Sequence, residues 1–161
     1  MKKLFLSIGL LCFLMAMVFA SAAAPDFSGT WSLDKAKSEG LPRQMADADI
    51  SWVISVADKA FKKEVKGGAA PQAENYKLDG TEVAEDVTMR QATMKAKRTA
   101  KMMGEMLELK SVMSGEFNGN AVTITTTQHL ELADGGKTLK VHQVSERPNG
   151  SQESKLVFTK K

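Results

Sequence analysis

The chain has 161 residues, with 22 Lys and Arg, 19 Asp and Glu, and a formal net charge of +3. Its first 24 residues hold two of the basic residues and none of the acidic ones, which leaves 20 basic and 19 acidic residues in the remainder. Such a balance argues against a nucleic-acid partner and against a basic patch for a membrane surface. The single cysteine, Cys12, also lies in the first 24 residues, so the remainder has no disulfide and no thiolate chemistry.

Residues 1–24 have the layout of a cleaved secretory signal peptide. Lys2 and Lys3 precede an apolar stretch from 4 to 20 that only Ser7 interrupts, and small residues follow from 20 to 24. An uncleaved membrane anchor is disfavoured by the small residues, and a lipoprotein by the position of Cys12 in the middle of the apolar stretch. The sequence therefore predicts a periplasmic or secreted protein, with residues 25–161 as one domain and no stable membrane insertion after cleavage.

The first half of this domain predicts short strands, because apolar residues alternate along it and turn residues separate the runs. The predicted elements are a first strand over 26–34, a connection over 34–47 with a helical turn at 43–46, a strand over 50–56, a weaker partner strand over 61–65, and a short strand around Tyr76 and Leu78. Residues 81–87 are polar and receive no assignment.

The segment 90–110 is open to two interpretations. Its Ala, Met, Lys and Glu residues are good helix formers. However, Ala92, Met94 and Ala96 alternate with Thr93 and Lys95, a period of two that favours a strand over 90–98.

The last third, 106–161, predicts a meander of four antiparallel strands. Asn118-Gly119, Asp134-Gly135 and Asn149-Gly150 separate its extended runs, and such pairs favour tight hairpin turns because glycine and asparagine adopt positive φ at low cost. The predicted fold class is therefore all-β, an antiparallel up-and-down meander barrel of eight to nine strands.

The three turns also predict the register of the meander. They place Leu107 opposite Leu130, Leu130 opposite Leu139, and Val141 opposite Phe158, so that the apolar residues share one inner face. A turn at Lys101-Met102 would place Arg98 opposite Glu105. On the inner face the predicted register aligns Ser111, Thr126 and Gln143 in a polar row across three strands. Gln128 lies beside this row.

This polar row is the candidate ligand site, because a buried row of hydroxyl and amide groups is costly unless each group has a partner. It either binds the polar head of a ligand or forms a satisfied cluster in a filled core. Arg98 could anchor a carboxylate or be a strand-end residue paired with Glu105. Arg90 could likewise be either a ligand anchor or a strand-end residue. The predicted ligand-binding residues are Trp52, Met94, Met113, Ser111, Thr126, Gln128, Gln143 and Arg98.

The sequence predicts no metal, no cofactor and no catalytic group. His129 and His142 are placed on the outer face with Lys140 and Thr127 as strand partners, and no carboxylate or thiolate stands at ligand spacing. The methionines lack a copper-binding series, and no nucleophile elbow of the G-x-S-x-G type is present. The sequence thus favours a protein that is not an enzyme.

The motif FSGTWSLDKAKS at 27–38, with ELADGGKTLKV at 131–141 and SKLVFTKK at 154–161, resembles small exported bacterial lipocalin-like proteins of the calycin type of β-barrel. The G-x-W motif is similar to that of lipocalins and fatty-acid-binding proteins. The resemblance implies that Trp31 plugs one end of the barrel and packs against a basic residue near the last strands. Arg147 is the only arginine in that part of the chain. The connection after the first strand is too short for the paired helical lid of a fatty-acid-binding protein.

Two functions are compatible with these features. The first is a non-enzymatic exported barrel that binds a small hydrophobic or amphiphilic ligand in its interior. The alternative is a filled-core module for envelope interaction or stress protection, with an undetermined protein partner, that acts through its outer surface or an edge strand. The strand over 61–65 is the predicted edge, guarded by the lysines at 59, 62, 63 and 66.

Overall fold

The computed structural model describes residues 24–68, 72–89, 92–117 and 119–161. The predicted signal peptide up to residue 23 and Arg90 lie outside these residues. The described part contains ten strands, a 3-10 turn at Lys35–Lys37, a short helix α1 at Arg43–Ala46 and a 3-10 turn at Asp134–Gly136. The strands are β1 Gly29–Leu33, β2 Ser51–Ala57, β3 Ala60–Lys66, β4 Gln72–Lys77, β5 Val83–Met89, β6 Ala92–Met103, β7 Met106–Phe117, β8 Asn120–Ala133, β9 Thr138–Arg147 and β10 Gly150–Lys160.

The strands form one antiparallel sheet in the order β4-β3-β2-β1-β10-β9-β8-β7-β6-β5. This sheet curls into a nearly closed barrel, in which β4 and β5 meet at a seam. The seam is spanned by a hydrogen bond of 3.3 Å from Asn75 Nδ2 to Glu85 Oε2 and by a bridge between Asp79 and Lys101. The all-β meander barrel is therefore confirmed, with ten strands instead of eight to nine, because the unassigned polar segment after residue 81 forms β5.

The predicted edge strand is wrong. β3 pairs on both sides, with β2 and β4, and the ends of the described sheet are β4 and β5. Lys63 does not guard an edge either, since its side chain lies inside the barrel and is only 1% exposed. It follows Phe61 at the period of two that turns alternate side chains of a strand inward.

The register of the closing meander is confirmed at its first turn, where Leu107 faces Leu130. At the next two turns it differs by two residues. Leu130 faces Val141, because the loop extends over 134–137, and Val141 faces Leu156 because the last hairpin turns at 148–149. A shift of two residues leaves every side chain on its predicted face, so the inner face is unchanged.

The predicted turn at Lys101-Met102 is wrong, since β6 and β7 are longer and join at 104–105. Gly104 has a φ of +67° there, a value that glycine adopts without steric cost. As a result Arg98 faces Ser111 and not Glu105. Strand is nevertheless the correct interpretation for this segment, which contains no described helix.

The barrel has two distinct ends. At the lower end, where β6–β7 and β8–β9 turn, the interior is filled by buried apolar side chains such as Leu107, Leu130, Leu139 and Phe158. The upper end carries the β1–β2 connection and the β7–β8 and β9–β10 turns. Along this connection Leu41, Met45 and Ala48 pack against the core. None of the described helices is long and apolar enough to cross a membrane.

Trp31 is fully buried and stabilises the junction of β1 with its neighbours β2 and β10. Its indole Nε1 donates a hydrogen bond of 3.0 Å to the carbonyl of Phe27. The ammonium of Lys160, on β10, lies 5.2 Å from the centroid of its ring. The late basic partner implied by the resemblance is therefore this lysine, whereas Arg147 is exposed.

Candidate functional site: the polar layer inside the barrel

A hydrogen bond crosses the barrel interior at mid-height. Lys63 on β3 donates a bond of 2.7 Å to Gln128 Oε1 on β8, and these strands are five positions apart in a ten-stranded barrel. They therefore lie on opposite walls, and the bond spans the lumen. We name the surrounding inward groups the polar layer: Lys63, Glu74, Tyr76, Glu85, Arg98, Gln128 and Gln143.

Two further groups contact the ammonium of Lys63. Its Nζ lies 2.9 Å from Glu74 Oε2 and 4.5 Å from the ring centroid of Trp52. The hydroxyl of Tyr76 donates a bond of 2.5 Å to the same carboxylate oxygen. A buried lysine is tolerated only when its charge is compensated in this way.

These contacts shift the pKa values of Glu74 and Tyr76. Burial disfavours the charged form of Glu74, but the charge of Lys63, the bonds from Tyr76 and Lys63, and the charge of Arg98 outweigh it, so the pKa of this carboxyl is lowered. The pKa of Tyr76 is raised, first by burial and then by the negative charge of Glu74 and the hydrogen bond to it. At neutral pH the carboxylate is charged and the phenol is neutral.

The raised pKa of Tyr76 predicts a loss of stability at alkaline pH. In the unfolded chain a tyrosine ionises near pH 10, whereas the folded chain keeps its proton, so the folded state is fully stabilised below that pH and loses stability as pH rises above it. Because Tyr76 is the only tyrosine, phenolate absorbance should appear together with unfolding measured by circular dichroism. Tyr76→Phe should flatten the alkaline decline in the free energy of unfolding; an unchanged decline, or phenolate formation in the folded protein, would contradict this assignment.

Arg98 forms the second ion pair of the polar layer. Its Nη1 and Glu85 Oε1 pair with each other and have no other partner among the described residues. Arg98 is 3% exposed and lies in the middle of β6, so the predicted strand-end pairing with Glu105 is wrong. Two buried donors in this region, Arg98 Nε and Trp52 Nε1, have no hydrogen-bond partner in the described part of the chain.

The predicted polar row divides into two rows in the observed register. Ser111 and Thr126 align with Ser145 and not with Gln143, and the hydroxyls of Thr126 and Ser145 lie 3.3 Å apart. Gln143 lies opposite Gln128, which donates a bond of 2.6 Å to it. The difference follows from the longer loop at 134–137, which moves β9 by two residues.

Above the polar layer the inner wall is apolar and partly open to solvent. Met113, Val122 and Ile124 are half-buried there, and Met94 is 6% exposed. We name this region the upper cup. All eight predicted ligand-binding residues lie on the inner face: Trp52, Arg98, Gln128 and Gln143 at the polar layer or beside it, and Met94, Ser111, Met113 and Thr126 at or below the upper cup. Whether they bind a ligand stays a prediction.

Sequence reasoning missed Lys63, Glu74, Tyr76 and Glu85 as members of this site. Lys63 and Glu74 face each other in the β3–β4 ladder. The available signal was alternation, since each of these two residues is two positions from a buried aromatic, Phe61 or Tyr76. Charged side chains are rarely buried, so an outward position was expected for both. Their burial is tolerable because each is paired with the other on the neighbouring strand.

The two histidines lie on the outer face, but their predicted partners are wrong. His129 and His142 face each other across β8 and β9, with ring centroids 6.2 Å apart. Each also contacts a carboxylate, Glu108 at 3.1 Å and Glu153 at 2.8 Å. No group of three or more His, Cys, Asp or Glu side chains in the described residues could hold a metal ion.

Comparison with known proteins informs the fold and no more. No protein-family model matches the chain, and no curated protein matches it. A solved structure described as "REP1-NXSQ fatty acid transporter" matches with a TM-score of 0.54 and 16% sequence identity, over 84% of this chain and 96% of the other. The chain therefore shares an antiparallel barrel fold with that structure.

Proposed function

We propose that the protein is an exported, non-enzymatic barrel that binds a small hydrophobic or amphiphilic ligand in the upper cup. The observation that carries this proposal is the half-buried apolar wall directly above the polar layer. Inward Met113 and Ile124 remain accessible to solvent, although an inner face of a barrel normally buries its apolar residues. An apolar ligand segment would cover them and gain the free energy of burying that surface.

The layout also limits the size of the ligand. The lower end is filled with buried apolar side chains, and the bond between Lys63 and Gln128 spans the lumen above them. A ligand therefore has only the upper part of the barrel, with its polar head at the layer and its apolar part toward the upper rim. The structural neighbour described as a fatty acid transporter supports an amphiphilic ligand and does not specify the charge of its head.

Export rests on the sequence of residues 1–24. Native mass spectrometry of the protein purified from the cell envelope of its own host tests both elements of the proposal. We expect a mass without residues 1–24 and a second species that carries a small noncovalent ligand. A mature mass without any bound species, together with no response of the tryptophan fluorescence to lipids or hydrophobic dyes, would contradict ligand binding.

A second candidate is a filled-core module that acts through its surface or a sheet edge. The crossing bond at mid-height favours it, because the lumen is occupied there. The edge strands available for a partner are β4 and β5. This candidate predicts a protein that copurifies from the envelope and is lost when charged substitutions are placed along β5, while the stability of the barrel is retained.

A further inference from the structure

The ion pairs of the polar layer leave it without net charge. Lys63 is paired with Glu74 and Arg98 with Glu85, so two cations are matched by two carboxylates. The lowered pKa of Glu74 keeps it charged at neutral pH. Neither cation is free to neutralise a further anion.

A ligand carboxylate would therefore be disfavoured at this depth. It would add a third negative charge to a layer whose cations, Lys63 and Arg98, are 1% and 3% exposed. A charge that is removed from water without a free counter-charge loses more hydration than it regains. To bind, the carboxylate would have to displace Glu74 or Glu85 from an existing pair.

The layer has two hydrogen-bond donors without a partner among the described residues: the neutral indole Nε1 of Trp52, and Nε of Arg98, whose charge is already matched by Glu85. Trp52 Nε1 is a donor only, and its side chain is 2% exposed. It has no partner among the described residues, and neither has Arg98 Nε. Nearby amide oxygens are already engaged, since Gln128 Oε1 accepts from Lys63 and Gln143 Oε1 accepts from Gln128. An oxygen acceptor from a ligand would satisfy these donors without adding charge.

We infer that the ligand has an uncharged polar head with an oxygen acceptor, as in a fatty alcohol, an ester or an acylglycerol, and that the site rejects free carboxylates. This inference rests on the proposed function and defines its ligand class. The head lies at the polar layer, and the apolar chain extends along Met94 and Met113. The two glutamates are thus specificity residues, because their charges exclude an anionic head.

Calorimetric titration of the purified, delipidated protein with decan-1-ol and with decanoate at neutral pH tests the inference, because these probes have chains of the same length. We expect decanoate to bind at least about tenfold more weakly than the alcohol. Equal or tighter binding of decanoate would overturn the inference and leave the proposed function standing. Binding of neither probe would overturn both.

Glu74→Gln provides the charge-specific test. The amide oxygen can still accept from Tyr76 and Lys63, but the layer gains one positive charge, so decanoate should now bind at least as tightly as the alcohol. Glu85→Gln should act in the same direction through Arg98 and serves if the first variant does not fold. Glu146→Gln, on the exposed outer face of β9, is the control of equal charge change and should keep the original preference. An alcohol preference that is unchanged in a folded Glu74→Gln or Glu85→Gln variant would overturn the inference.

Discussion

Replacing Lys63 by methionine should lower the free energy of unfolding by about 3–5 kcal/mol, the usual cost of removing one partner of a buried ion pair. The substitution keeps the apolar volume of the side chain but leaves the carboxylate of Glu74 without its main cation. It also removes the donor to Gln128 Oε1. Urea unfolding followed by circular dichroism measures this loss.

Two variants distinguish this charge effect from a general sensitivity of β3. Lys62→Met changes the adjacent lysine, whose ion pair with Glu64 is exposed on the outer face, and should cost less than about 1 kcal/mol. Lys63→Met combined with Glu74→Gln removes the uncompensated charge and should recover part of the loss, with a coupling energy of roughly 0.5–3 kcal/mol. Equal costs for the two lysines would show that Lys63 is not part of a buried network.

Replacing Trp31 by alanine should cost about 3–5 kcal/mol as well, because it removes a large side chain from the core and leaves a cavity. Trp31 is 0% exposed, and the carbonyl of Phe27 would lose the donor that satisfies it. The expected consequence is a loose junction between β1 and β10, and it is measured by the same unfolding titration.

Trp31→Phe retains most of the ring and should lose only part of this stability. Ser32→Ala, the next position on the same strand, faces outward and should change the free energy of unfolding by no more than about 0.5 kcal/mol. A cost below about 1 kcal/mol for Trp31→Ala would contradict the position of this tryptophan in the core.

The turns explain how far the register could be predicted. Asn118-Gly119 permits one short turn, and the pairing of β7 with β8 is the predicted one. After Asp134 two glycines follow, and both have positive φ, +65° at Gly135 and +82° at Gly136. Two such residues allow a longer loop as readily as a tight turn. The choice depends on packing across the barrel, which local sequence does not contain.

The uncharged part of the interior was accessible to prediction, and of the charged residues of the polar layer only Arg98 was. Alternation identified Trp52, Met94, Gln128 and Gln143 as inward residues. Lys63 and Glu74 obey the same alternation, but each charge alone favours an outward position. Only the pairing of β3 with β4, and the closure that brings β8 opposite β3, makes their burial favourable. The second of these is a tertiary contact between residues 65 positions apart along the chain, Lys63 and Gln128.

The methionine methyl resonances of the protein in solution report ligand contact in the upper cup. Met94 and Met113 lie on the cup wall, whereas Met103 is exposed beside the β6–β7 turn at the other end. Titration of the methyl-labelled protein with decan-1-ol should shift the first two resonances saturably and leave that of Met103 unchanged. No shift at Met94 and Met113, or shifts confined to Met103, would contradict a ligand site in the upper cup.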